Sequence, residues 1–140
     1  MSTDTARTRP VNRPANRRAS RTGPAPGVNL AVLAGELSGE PEVRDLGERG
    51  TVASFALRTA APDGATSVPV AVWSPPAWLE DAPVGAKVVL VGFVRRRFFR
   101  SAGGTTGSRV EVEAVALARD TARSRAAMIR RAEAALGELA

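Results

Sequence analysis

Residues 67–94 read SVPVAVWSPPAWLEDAPVGAKVVLVGFV, and this stretch decides the fold. It predicts a strand over 67–74, a short helix within 74–85, and a long strand over 86–100. Ser74 is a candidate N-cap, prolines follow at early helical positions, and Gly85 is a stop signal. Gly92 interrupts the long apolar run, and we expect a bend or a bulge there.

Strand patterns also lie on both sides of this stretch. In TVASFALRT (51–59) alternate residues are apolar, which predicts a half-buried strand with Phe55 in the core. In SRVEVEAVALA (108–118) the valines fall on one parity and Glu111 and Glu113 on the other, where we expect solvent. The candidate strands are 29–38, 51–59, 67–74, 86–100 and 108–118.

The connections between these strands are polar and rich in glycine. We expect a loop over 39–50, a turn at Pro-Asp-Gly within 60–66, and a flexible hairpin tip over 101–107. The predicted order is three strands, a helix and two strands. That is the order of the oligonucleotide-binding (OB) fold, so we predict an all-β, five-stranded OB-fold barrel.

The two ends of the chain differ from the barrel region. Residues 1–28 are poor in apolar side chains, and we expect a disordered tail. Residues 29–119 form the predicted barrel domain. Residues 120–140 predict a C-terminal helix whose apolar stripe is Ile129, Ala132, Leu136 and Leu139. This helix could pack on its own barrel, pair between subunits or remain loose.

The charge is concentrated in the tail. The chain has 20 basic residues and a formal net charge of +6. The segment 1–28 carries six arginines against Asp4, whereas the segment 29–119 is neutral overall. Lys87 is the only lysine, and arginine suits phosphate and base contacts, although GC-rich coding would produce the same bias.

Several function classes are disfavoured by composition. The sequence has no Cys and no His, the residues on which thiol chemistry, many metal sites and most acid–base catalysis depend. We therefore expect no enzyme, no catalytic residue, no metal and no cofactor. No apolar run is long enough to span a membrane, and no hydrophobic stretch follows the N-terminal basic residues, so we expect a cytoplasmic protein.

The sequence resembles the bacterial single-stranded-DNA-binding proteins. The resemblance covers about 29–119 and rests on the order and spacing of several short motifs. They are Asn29, Gly35 to Leu37, Pro41 to Arg44, Gly50, VASFAL (52–57), VAVW (70–73), GAKVVLVGFVRRRFF (85–99) and RVEVEAVAL (109–117).

The resemblance implies an OB fold that binds single-stranded DNA in replication, recombination or repair, usually as a homotetramer, with a homodimer as the other assembly. By position, Trp73 and Phe99 match the family's stacking aromatics. Arg95, Arg96, Arg97 and Arg100 fall where the family places basic residues on the same long hairpin. Arg58 of the second strand is a further candidate. The predicted nucleic-acid-binding set is Arg58, Trp73, Arg95, Arg96, Arg97, Phe99 and Arg100.

The sequence also departs from the family. Two family aromatics are missing, one at the entry to the third strand (Ser67 and Val68 here) and one in the loop over 58–66. The chain ends in GELA rather than an acidic tip, so we do not expect partners recruited through such a tip.

Other interpretations of the same residues remain open. Trp73 could be a stacking platform or a packing residue, and Trp78 could cap the barrel floor. Phe98 and Phe99 are adjacent and must face opposite ways in a strand, and Phe99 is the preferred stacking residue. The arginine-rich run could be a solvated edge strand. A protein–protein accessory module or an RNA-binding barrel are the alternative functions.

Overall fold

The computed structural model describes residues 27–138. The predicted tail 1–28 lies outside the described residues except for Gly27 and Val28, and so does Leu139 of the predicted stripe. The elements are β1 (Ala31–Leu37), β2 (Glu42–Asp45), β3 (Thr51–Ala61), β4 (Gly64–Trp73), α1 (Ala77–Glu80), β5 (Lys87–Arg100), β6 (Thr106–Arg119) and α2 (Ala122–Gly137).

Five strands close into a barrel. The strand order is β1-β5-β6-β4-β3-β2, and β1 also pairs with β3, which closes the ring and leaves β2 as a short addition to the edge of β3. The β4–β6 pair is parallel and all other pairs are antiparallel. The helix α1 separates the third and fourth barrel strands. The predicted OB-fold architecture with a C-terminal helix is therefore confirmed.

The barrel interior is filled by alternate residues of the strands. The largest fully buried side chains include Leu37, Leu57 and Leu90, and Phe55 is buried with them as predicted. Trp78 of α1 packs against this core, and the Arg119 guanidinium carbon lies 4.6 Å from its ring centroid. Trp78 is therefore a packing residue of the core, and its role as a cap on the barrel floor stays an interpretation.

Two sequence predictions about the connections are wrong. The predicted loop 39–50 contains strand β2, because Val43 packs on the barrel core and 42–45 pairs with β3. Ser74 is not the N-cap of α1: Pro76 occupies that position and offers no side-chain cap. Ser74 instead has a positive φ of 53° and donates its backbone N–H to Thr51 O.

The turn and bulge predictions agree with the structure. Strands β3 and β4 continue to Ala61 and Gly64, so the hairpin turn is only Pro62 and Asp63. The β5–β6 register shifts between Val91 and Gly92, as expected for a bulge. A Cβ at Gly92 would collide with the backbone carbonyl oxygen of Glu113, so the bulge requires glycine here.

Helix α2 packs on its own barrel. Thr121 and Ser124 form a capping box at its start. Met128 is buried against Val89 and Val91 on the outside of β5, and Ala132 is also buried. The predicted stripe is therefore wrong in its details, because Ile129 and Leu136 are exposed. No helix in the range 27–138 is long and apolar enough to cross a membrane.

Candidate nucleic-acid interface

Strands β5 and β6 extend beyond the barrel as a two-stranded ribbon. The neighbouring barrel strands pair with only part of β5 and β6. Strand β1 pairs with β5 only as far as Gly92, and β4 pairs with β6 only over 112–114. From Arg95 and Glu111 outward, the two strands pair only with each other, ending at Arg100 and Thr106. A free ribbon between the last two barrel strands is a ligand-contacting element of OB folds.

The two faces of this ribbon differ because side chains alternate along a strand. We call inner the face that continues the core-facing side of the barrel and that includes buried Val112. We call outer the opposite face, which carries Glu111 and Glu113. Directly paired residues share a face, so the register assigns every side chain. The inner face carries Val94, Arg96, Phe98, Arg100, Thr106, Ser108 and Val110, and the outer face carries Phe93, Arg95, Arg97, Phe99, Gly107, Arg109, Glu111 and Glu113.

The outer arginines form ion pairs with the outer glutamates. Arg95 Nε lies 3.0 Å from Glu113 Oε1, and Arg97 Nε lies 3.0 Å from Glu111 Oε2. Arg109 Nη2 lies 3.7 Å from Glu111 Oε1. Arg97 and Arg109 are paired directly across the strands, where like charges repel. Glu111 offsets this repulsion, because it accepts a hydrogen bond from Arg97 and forms a longer ion pair with Arg109.

Glu111 does not meet solvent, which corrects the sequence prediction. It is 2% exposed. The prediction was wrong because it considered only β6 and so missed that arginines of both strands form ion pairs with Glu111. Glu113 is also partly covered. An isolated buried carboxylate is costly, so the ion pairs with Arg97 and Arg109 are needed to keep Glu111 charged in this position.

Three aromatic side chains lie on the outer side of the sheet. The Arg95 guanidinium carbon lies 5.2 Å from the Phe93 ring centroid. The Phe99 ring lies against Gly107, where a Cβ would come within 2.8 Å of two ring carbons. Trp73 shares the parity of Ala71, which pairs with β6 at Glu113, so the half-buried Trp73 faces the same way.

The inner face has a different chemistry. Phe98 is 69% exposed, the highest value for any large hydrophobic side chain in the described chain. Arg96 donates to the Ser108 hydroxyl at 3.1 Å, and Arg100 donates to the Gly104 carbonyl at 3.4 Å. Both partners are neutral, and neither arginine makes an ion pair within 27–138.

Arg58 lies away from the ribbon. Along β3, Arg58 is six residues from Val52, and Val52 pairs with Trp73. About 20 Å of strand therefore separates Arg58 from the position of Trp73. Arg58 lines a shallow cleft of about 400 Å³ together with Lys87 and Arg125, near the start of α2. Arg125 in that cleft donates to both carboxylate oxygens of Asp120, at 3.1 and 2.6 Å.

The sequence-predicted set is therefore divided by the structure. Trp73, Arg95, Arg97 and Phe99 share the outer side, Arg96 and Arg100 lie on the inner side, and Arg58 is remote from both. The prediction that Phe98 and Phe99 face opposite ways is confirmed. Phe98 was left out of the predicted set, although its parity with Arg96 and Arg100 was a signal for including it.

Comparison with known proteins supports the fold and does not establish a family. No family model matches the sequence. No curated protein matches it either. Among solved structures, the chain is similar to the mitochondrial single-stranded DNA binding protein Rim1 from S. cerevisiae, with a TM-score of 0.50 and 12% sequence identity. The match covers 64% of this chain and 92% of that chain. At this identity the likeness shows the fold alone, and membership of the bacterial family stays a prediction.

Proposed function

We propose that this chain binds single-stranded DNA without sequence preference and without catalysing a reaction. The observation that carries the proposal is the free β5–β6 ribbon, which bears arginines and phenylalanines on both faces beyond the end of an OB barrel. Single-strand binders combine cations for the phosphates with aromatic rings for the bases, and this combination tolerates any sequence. The similarity to a protein described as single-stranded DNA binding supports the same proposal.

The surroundings of the ribbon fit this function. Trp73 lies on the face formed by the second and third barrel strands, a surface used by OB folds for oligonucleotides. The arginine-rich segment 1–26 joins the described chain at Gly27, two residues before Asn29. The Asn29 side-chain amide bonds both backbone groups of Val94 at 2.8 Å, so the tail is attached at the base of the ribbon. We propose a role in DNA replication, recombination or repair, as the sequence resemblance implies.

The test is a titration of the full chain with labelled oligo-dT at two salt concentrations. Two phosphate contacts alone predict a slope of about −1.4 in log affinity against log salt, or roughly a sevenfold loss from about 50 to 200 mM. No binding at low salt, by protein whose circular dichroism shows it to be folded, would overturn the proposal. A parallel titration with RNA of equal length separates DNA binding from RNA binding.

Tryptophan fluorescence provides an internal control. The chain has two tryptophans, Trp73 on the outer sheet face and Trp78 packed on the core. Quenching by oligo-dT should persist in Trp78→Phe and be lost in Trp73→Phe if a base stacks on Trp73. The opposite pattern would remove Trp73 from the binding surface.

A protein-binding accessory module is the second candidate. The observation that favours it is the ion pairing of the outer arginines, which leaves that face close to neutral. This alternative predicts that the affinity for oligo-dT comes from the tail and disappears when the tail arginines are replaced by glutamine.

A further inference from the structure

We infer that the single strand lies along the inner face of the ribbon, with a base stacked on Phe98 and phosphates bound by Arg96 and Arg100. The inference rests on the proposed single-strand binding and states where on the chain it occurs. It assigns a principal role to Phe98. It also gives the outer arginines a smaller role than the sequence pattern suggested.

The order of side chains on the inner face fits a nucleotide. Arg96, Phe98 and Arg100 are alternate residues of one strand, so they stand in a row at intervals of about 6.8 Å. One exposed ring therefore has a cation on either side. A stacked base with its two flanking phosphates presents the matching order of an apolar ring between two negative charges.

The inner arginines bond only neutral groups and can bind phosphate, whereas the outer arginines form ion pairs with glutamates. Arg96 and Arg100 bond only a hydroxyl and a carbonyl, both of which a phosphate can replace without separating opposite charges. On the outer face, Arg95 and Arg97 are already 3.0 Å from carboxylates. A phosphate that approached there would also meet the negative charges of Glu111 and Glu113, so its net attraction is weaker.

An apolar surface extends the inner row toward the barrel. Val94 pairs directly with buried Val112, and Val110 is the next inner residue of β6; both Val94 and Val110 are exposed. They offer contact to the apolar parts of a base or sugar. The charge of the inner face favours nucleic acid over protein as the partner. This face bears two arginines and no acidic residue, so it complements a polyanion better than a typical protein surface.

Adjacent phenylalanines give a matched pair of variants. Phe98→Ala and Phe99→Ala remove the same side chain from opposite faces of one strand, and both rings are exposed. We expect Phe98→Ala to weaken oligo-dT binding by the full chain roughly 5- to 100-fold. Phe99→Ala should weaken it by a smaller factor. An equal loss in the two variants, or a greater loss in Phe99→Ala, would overturn the inference.

Paired arginine variants test the same assignment through salt dependence. Arg96→Gln with Arg100→Gln, and Arg95→Gln with Arg109→Gln, change the net charge equally and leave the Arg97–Glu111 contact in place. The inner pair should reduce the magnitude of the salt slope by about 1.4, and the outer pair by less. Thermal unfolding confirms that each variant folds. If the unaltered chain does not bind, the proposed function fails; if it binds but the outer pair has the larger effect, only the inner-face assignment fails.

Discussion

Arg97 Nε lies 3.0 Å from Glu111 Oε2, and the two side chains are unequally exposed, 39% for the arginine and 2% for the glutamate. The consequences of removing either partner are therefore unequal. Loss of Glu111 leaves guanidinium groups that water can reach. Loss of Arg97 leaves a buried carboxylate with Arg109, at 3.7 Å, as its remaining cation.

We predict that Arg97→Met lowers the free energy of unfolding by about 2 kcal/mol, because a buried acceptor loses its principal donor. Arg109→Met is the matched control. Its side chain is 53% exposed and its contact with Glu111 is longer, so its loss should cost less than about 1 kcal/mol. Urea denaturation of both variants measures the difference. Equal costs would show that Glu111 does not depend on Arg97.

The Gly92 bulge offers a second stability test. Gly92→Ala places a Cβ against the backbone of Glu113 and Ala114, where no flexible side chain can move aside. We expect a loss of about 2 kcal/mol. Gly103→Ala at the hairpin tip is the control, because a Cβ there meets nothing within 4 Å, and its effect should stay within about 0.5 kcal/mol. Comparable thermal midpoints in the two variants would contradict the close approach of β5 and β6.

Met128 should carry much of the docking energy of α2. It is buried against Val89 and Val91, whereas the next residue, Ile129, is 47% exposed. Met128→Ala should cost about 2 kcal/mol, and Ile129→Ala should cost less than about 0.5 kcal/mol. Chemical denaturation compares these neighbours directly. A larger effect at Ile129 would restore the stripe that the sequence predicted.

The barrel was predictable because strand alternation is a local signal. The alternation predicted that Phe55 and the residues on the same side of its strand are buried. The glycine within an apolar run predicted the bulge at Gly92. Short β2 was not predictable, since its four residues are held by pairing with β3 and by Val43 on the core. The predicted apolar stripe of α2 was wrong because the sequence shows a helical period but does not show which side of the helix packs on β5.

The site was less predictable than the fold because it depends on register. Alternation alone showed that Phe98 opposes Phe99 and that Glu111 and Glu113 share a face. It could not show that this face is the one with Arg95, Arg97 and Phe99. That pairing is set by the length of the hairpin tip and by the bulge, and a one-residue slip would exchange the faces.

The basic tail predicts a large electrostatic contribution to DNA affinity. Replacing its six arginines by glutamine in the full chain should reduce the magnitude of the salt slope by up to about 4, since each lost phosphate contact removes about 0.7. The replaced residues are Arg7, Arg9, Arg13, Arg17, Arg18 and Arg21. Replacing Arg123 and Arg130 of α2 by glutamine removes two charges elsewhere, and the comparison is the change in slope per arginine replaced. An unchanged slope in the tail variant would show that the tail does not contact DNA.

The ion pair beside α2 predicts a defined dependence of stability on pH. The hydrogen bond that Arg125 donates to Asp120 holds the pKa of that carboxyl below its ordinary value, and the charges of Arg125 and Lys87 act in the same direction against partial burial. A carboxyl with a lowered pKa in the folded state stabilises that state above its unfolded pKa. The contribution is lost as the pH falls through the folded pKa.

We therefore expect Arg125→Met to be less stable than the unaltered chain at neutral pH, with the difference shrinking in acid as Asp120 becomes protonated. Arg123→Met is the control, because Arg123 lies in the same helical turn and makes no ion pair within 27–138. Urea midpoints across the acid range give the stability difference, and carboxyl NMR titration gives the pKa of Asp120 directly. A difference that does not vary with pH, or an Asp120 pKa unmoved by Arg125→Met, would show that this contact does not act through the charge of Asp120.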